Sequence, residues 1–167
     1  MATRGKYPKQ QMVVYNQEIL SRIVQVELQY VGKNINQTLE QLLREQCEGK
    51  CTVEGYIKPN SILINEVSSG LVIANKVEFN VIFQCQVCFP VEGMEISCVA
   101  KNITKAGIRC ETTEIPSPII AFIARDHHYS NDKFASVKEG DIIKIKVIGQ
   151  RFELNDTQIS IIGELIV

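Results

Sequence analysis

Hydrophobic and polar positions change period several times along this chain. Between Ile23 and Tyr30, apolar residues at 24, 26, 28 and 30 alternate with Gln25, Glu27 and Gln29. A period of two predicts a strand with one buried face, and Gly32 ends it. Ile35, Leu39, Leu42 and Leu43 then fall at helical spacing on one face. Asn34 or Asn36 is placed to cap this helix, and Gly49 to stop it in a left-handed turn. The apolar stripe of the helix needs a sheet to cover.

Strands return after the helix. Residues 51–57 form a β-prone run containing Gly55, Pro59-Asn60 reads as a turn, and 61–65 as a short strand. Ser68-Ser69-Gly70 is a loop, and 71–74 another strand. The longest alternation spans 77–89, with Val77, Phe79, Val81, Phe83, Cys85, Val87 and Phe89 on one face. Pro90 breaks it. Beyond lie short strands at 96–99, 106–110, 119–124, 142–148 and 159–165, separated by turn signals and with no convincing helix among them. Five such strands fit a small, partly open barrel of OB-fold size. No flexible linker divides the halves, so they are expected to pack rigidly, with Pro90 and Gly93 marking the seam.

Charge narrows the reading. The 167 residues carry a formal charge of −1, which argues against a chain that grips nucleic acid through a dense basic surface. One basic face remains open. Lys101 and Lys105 fall at the first turn of the barrel, Arg109 on its next strand, and Lys144 and Lys146 alternate along one strand. These five are the candidate contacts to single-stranded RNA; solvated lysines on an inert barrel are the alternative. Phe122, Tyr129 and Phe152 are the nearby aromatics, and alternation puts Phe122 in the core as easily as on the surface. No apolar run approaches the length of a membrane span, and the N-terminus has no signal-peptide core.

Chemistry for catalysis is missing from the pattern. No nucleophile elbow, phosphate-binding glycine loop or His-Glu-x-x-His motif occurs. His127-His128 sits in a polar stretch and reads as an exposed loop. The pairs Cys47/Cys51 and Cys85/Cys88 have spacings compatible with halves of a zinc site. Residues three apart on a strand face opposite sides, so the second pair should diverge. Core packing of reduced thiols is expected, with no bound zinc and no cofactor.

Five local motifs, in order, point to one family. They are 42–51 (a Leu-rich, acidic helix end running into Glu48-Gly49-Lys50-Cys51), Glu54-Gly55-Tyr56-Ile57, the run 77–83, the junction Phe89-Pro90-Val91-Glu92-Gly93-Met94, and the closing Ile161-Ile162-Gly163-Glu164-Leu165. From about Tyr15 to the end the chain resembles the stalk subunit of multisubunit RNA polymerases: the seventh subunit of eukaryotic RNA polymerase II, its archaeal equivalent and a smaller poxvirus counterpart. The resemblance implies an α+β, mostly β fold. Residues 1–14 would be an arm. Residues 15–90 would be a truncated ribonucleoprotein-like tip domain, an antiparallel sheet with one helix. Residues 91–167 would be a five-stranded OB-fold barrel.

The resemblance also implies a non-catalytic role. The tip would dock on the polymerase core, on its largest subunit and near the clamp. The docking loop 65–72 would carry Glu66, Val67, Ser68, Ser69, Gly70, Leu71 and Val72, with Gly49 and Gly55 in neighbouring segments. The barrel would meet nascent RNA at the exit channel. Partners would be the core subunits and, in cellular members, a helical fourth-subunit-like protein; no membrane is implied. The protein would work in the nucleus or cytoplasm, and in the virion for a packaged viral member. The sequence departs from the family in its extra N-terminal residues, its short loop without a basic stretch, and Pro116-Ser117-Pro118. This divergence suggests a large DNA virus, with a divergent eukaryote as the other source. A free-standing OB-fold RNA-binding protein of RNA metabolism or translation, and an interaction protein with no nucleic-acid role, are the competing readings.

Overall fold

The computed structural model describes residues 14–166; the N-terminal arm expected over 1–14 falls almost wholly outside them. Its organising element is β6 (Lys76–Cys88), the long alternation of the sequence. Val77, Phe79, Val81, Phe83, Cys85 and Val87 are buried on one face, as period two requires. Along one edge β6 pairs with β1 (Asn16–Glu27), antiparallel, from Asn16 opposite Val87 to Glu27 opposite Lys76. Along the other it takes three short partners: β3 (Gly55–Ile57), β4 (Leu63–Val67) and β5 (Leu71–Ile73). The helix α1 (Ile35–Cys47) covers the buried face with Leu39, Leu43 and Cys47, which join Val24, Val26 and Ile57 in the first core. Burying aliphatic side chains at about 1.5–3 kcal/mol each is what holds so short a helix in place.

Several expectations change here. The first strand begins and ends seven and three residues earlier than the pattern predicts: Leu28 to Tyr30 form a short 3-10 turn and are exposed. β6 offers a long edge, and backbone pairing to it recruits the mixed segment 16–22 that alternation alone passes over. The run 51–57 is a hairpin rather than one strand. β2 (Cys51–Thr52) turns through Val53-Glu54 into β3. Gly55 takes φ +127°, and a Cβ there would lie 2.4 Å from the Cys88 carbonyl oxygen. Phe89, expected on the buried face, is 41% exposed because the strand ends one residue before it.

The second half is a closed barrel ordered β10-β11-β9-β8-β7. Its strands are β7 (Glu95–Ile103), β8 (Gly107–Thr112), β9 (Ile119–Ala124), β10 (Ile142–Arg151) and β11 (Ile159–Leu165). All pairings are antiparallel except β9 with β11, which are parallel, the arrangement of an OB-fold. The mostly β fold of sheet, helix and five-stranded barrel is therefore as the motifs indicate. One correction applies: the β9–β10 connection holds a short helix, α2 (Asp132–Ser136), whose Phe134 plugs the barrel end. Asn131 caps it by accepting from the Lys133 N–H.

The seam between halves is continuous core. Tyr15, Cys51, Tyr56 and Cys88 pack in the same cluster as the barrel residues Ile96, Cys98 and Ile119. Backbone bonds reinforce it: Cys51 N–H donates to the Asp156 carbonyl (2.7 Å), and Asn155 N–H donates to the Cys51 carbonyl (2.9 Å). Phe89 and Phe152 meet edge to face, with centroids 6.0 Å apart. The β10–β11 loop is thus bonded to the β2–β3 hairpin.

Another cross-tie is an ion pair. The Arg22 guanidinium grips both oxygens of Glu54, at 3.0 and 2.5 Å, and Thr52 Oγ1 donates to the same carboxylate at 3.0 Å. The Arg22 hydrogen bonds hold the Glu54 carboxyl below its ordinary range. A carboxyl lowered in the fold stabilises it above the unfolded-state value, and that contribution disappears as pH falls through the lowered one. Glu54→Gln should therefore cost about 1 kcal/mol at pH 7 and clearly less at pH 3. Urea midpoints at the two pH values test this; an equal loss at both would assign Glu54 a role other than its charge.

Candidate functional site

Two surfaces carry the candidate residues. The first is the edge formed by β4, the turn 68–70 and β5. It is stitched to β6 rather than free: Ser68 N–H donates to the Asn80 carbonyl, and Ser68 Oγ accepts from Asn80 N–H at 2.8 Å. Gly70 closes the turn against Val77 and Phe79, whose atoms lie 2.5 and 2.9 Å from where a Cβ would stand. Glu66 and Leu71 point to the outer face with Ile82 and Glu78, while Val67 and Val72 take the helix side. Ser68, Ser69, Gly70, Leu71 and Val72 are exposed, and Leu71 and Val72 each keep 61% of their surface open. Ile19 and Ile23 of β1 are also open and share the outer face with Leu71, whereas Val72 opens on the helix side. Exposed aliphatic side chains gathered on one face are found at protein interaction surfaces.

Gly49 and Gly55 act differently. Gly49 ends α1 at φ +69°, as the helix-stop reading expects, with Pro59 in ordinary contact distance of a Cβ there. Gly55 is buried beneath Cys88 and supplies the shape of the hairpin, not surface.

The second surface is the barrel wall. Arg109 on β8 stands directly opposite Phe122 on β9 and opposite Asn102 on β7. Lys101 occupies the bulge of β7 beside it, and Lys105 the β7–β8 turn. That turn is braced by Arg125, which donates from Nε to the Lys105 carbonyl and from Nη2 to the Thr104 carbonyl, both at 3.0 Å. Arg109 also approaches Glu111, Nη2 to Oε1 at 3.5 Å.

Lys144 and Lys146 lie elsewhere, on the outer face of β10. Lys146 is registered between Glu95 on β7 and Glu164 on β11, so two carboxylates flank it; Lys144 faces Ser97. The five basic residues therefore divide into a group of three around Arg109 and a pair set among acids. Phe122 is what the sequence left ambiguous. Residues 119–124 are apolar on both faces, so only the register shows that Ile119, Ala121 and Ile123 are the buried set.

The histidines and cysteines resolve as structure. His127 is exposed as expected, but His128 is buried. Its Nδ1–H donates to the Ala124 carbonyl at 2.7 Å, and its Nε2 accepts from Leu165 N–H at 3.0 Å. The ring stacks on Phe134 with centroids 5.0 Å apart. It pins the last strand to the end of β9, and alternation offered no signal for it. All six cysteines are buried. Cys47 and Cys85 belong to the first core, Cys51 and Cys88 to the second, so each close-spaced pair diverges. Among the described residues no group of His, Cys, Asp or Glu is arranged to hold a metal ion. No helix among them is long and apolar enough to cross a membrane.

No family model matches the chain. Two curated proteins match along its length. A protein of Acanthamoeba polyphaga mimivirus, L376, is 25% identical over 94% of this chain and 84% of its own length; it is named as a DNA-directed RNA polymerase subunit on a provisional footing. The DNA-directed RNA polymerase II subunit RPB7 of Glycine max is 23% identical over 88% of this chain and 89% of its own. The stalk-subunit resemblance carried by the five motifs thus holds across both halves of the fold.

Proposed function

We propose that this chain, similar along nearly its whole length to polymerase subunits of the RPB7 kind, is a non-catalytic subunit of a DNA-dependent RNA polymerase and forms its stalk. The observation that carries the reading is the span of the likeness: it covers tip and barrel together, and the seam fuses those two parts into one body. In this reading the edge 65–72 docks on the core near the clamp. Glu66, Val67, Ser68, Ser69, Gly70, Leu71 and Val72 make contact there, and Gly49 and Gly55 hold the supporting turns. The barrel overhangs the exit channel and offers Lys101, Lys105 and Arg109 to emerging RNA; Lys144 and Lys146, the other two candidates, stand apart from them on β10. Partners are the largest core subunit and a helical stalk protein where one exists. The subunit biases clamp position and guides transcript; nucleotide addition belongs to the core.

A free-standing RNA-binding barrel would have no use for the open aliphatic edge, so recovery of partners separates the readings. Tagged chain expressed alongside its polymerase should bring down the large core subunits at moderate salt. Leu71→Asp with Val72→Asp should reduce that recovery at least tenfold while leaving the thermal midpoint nearly unchanged, since both side chains are exposed. Recovery of the chain without large polymerase subunits would overturn the proposal.

A further inference from the structure

On the Arg109 face of the barrel a partly exposed aromatic ring stands beside cations. Phe122 does not stand off the sheet. Its ring leans diagonally over Gly107, where a Cβ would lie 2.9 Å from the Phe122 Cζ. The ring tip is thereby packed over Gly107 on the barrel wall, and 38% of the residue stays open. Beside it, Arg109 is the direct cross-strand neighbour and keeps nearly half of its side chain exposed. Lys105 sits on the adjoining turn, and Arg125 fixes that turn through two side-chain bonds to its carbonyls.

From this geometry we infer that Phe122 stacks one base of single-stranded RNA while Arg109 and Lys105 take the flanking phosphates. The inference rests on the RNA contact proposed above and assigns it to one face. A half-open aromatic ring packed on the barrel wall next to cations has what sequence-tolerant stacking needs. The opposite end of the usual OB-fold cleft is closed to this role: the β10–β11 loop is spent on the Cys51 backbone. The bound segment is therefore short and displaced toward the β7–β8 turn. Arg109 exchanges its Glu111 contact for phosphate on binding. Lys146, flanked by Glu95 and Glu164, and Lys144, opposite Ser97, lie on β10 and do not take part.

The test is fluorescence anisotropy of the full chain with a labelled oligouridine of about eight nucleotides at low salt. Phe122→Leu keeps an apolar cover on Gly107 and should weaken binding at least fivefold with the thermal midpoint unmoved. Phe122→Tyr should bind as the parent does, Arg109→Gln should weaken binding and flatten its salt dependence, and Lys144→Glu should stay within twofold. Equal binding by Phe122→Leu, a larger loss from Lys144→Glu, or no binding by the parent would each overturn the inference. Recovery of polymerase subunits by Phe122→Leu is measured alongside. It should match the parent's, so a failed RNA site leaves the polymerase reading intact and a failed recovery does not implicate Phe122.

Discussion

Gly107→Ala should lower the thermal midpoint by about 10 °C, and Gly55→Ala by a similar amount. At Gly107 an added Cβ would stand 2.1 Å from the Ile123 carbonyl oxygen, and at Gly55 2.4 Å from that of Cys88. Both obstacles are backbone atoms inside paired strands, so no side chain can swing away. The strand pair must separate, or the residue must leave its conformation. At Gly55 the φ of +127° adds strain for any other residue. A cost of about 3 kcal/mol or more follows for each, a large share of the roughly 5–15 kcal/mol that holds a domain together. Gly140→Ala is the control, because nothing lies within 4 Å of its Cβ position and only the left-handed φ penalty applies. Circular dichroism melts read the difference; a shift at Gly107 no larger than at Gly140 would remove the steric argument.

The second large effect is alkaline. Burial pushes the Cys88 and Cys98 thiols up to about 12, and those of Cys51, Cys85 and Cys110 to about 11. In the unfolded chain they ionise near about 8.5. Above that value the unfolded state holds fewer protons than the fold, so stability falls as pH rises. Each thiol contributes about 1 kcal/mol per pH unit across the window from about 9 to 11. Five together remove several kcal/mol by pH 10, a large share of the roughly 5–15 kcal/mol that holds a domain together. The same burial predicts that a thiol reagent labels the native chain slowly at pH 8 and all six cysteines at once in denaturant. Cys98→Ala should flatten the alkaline slope while lowering stability at pH 7. A midpoint constant from pH 8 to 10 would show the thiols to be wet.

What the sequence revealed and what it withheld follow from where pairing and packing act. The face of β6 was legible because one side of it is covered from Val77 to Val87, and period two is the direct mark of that. The barrel strands were legible because turns such as Glu139-Gly140-Asp141 punctuate them. The start of β1 was not, since residues 16–22 are recruited by a partner far along the chain. His128 was missed because its two bonds go to backbone atoms, one of them at the far end of the chain, and no local pattern encodes a partner that distant. The candidate cations were all identifiable as residues, but their division into a group around Arg109 and a pair on β10 required the register. Phe122 required it too: in an all-apolar strand, only the partner strand decides which side chains face out.

The backbone bonds between Cys51 and residues 155–156 have a consequence for the order of assembly. The tip hairpin is synthesised before the whole of β6 to β10, and its partner loop only after them. β11, which closes the barrel between β9 and β10, arrives later still. Until then the nascent chain exposes Cys51, Tyr56 and Cys88, side chains that the finished protein buries. Seam and barrel therefore both depend on the segment from Asn155 to Leu165, and a chain cut short before it lacks both.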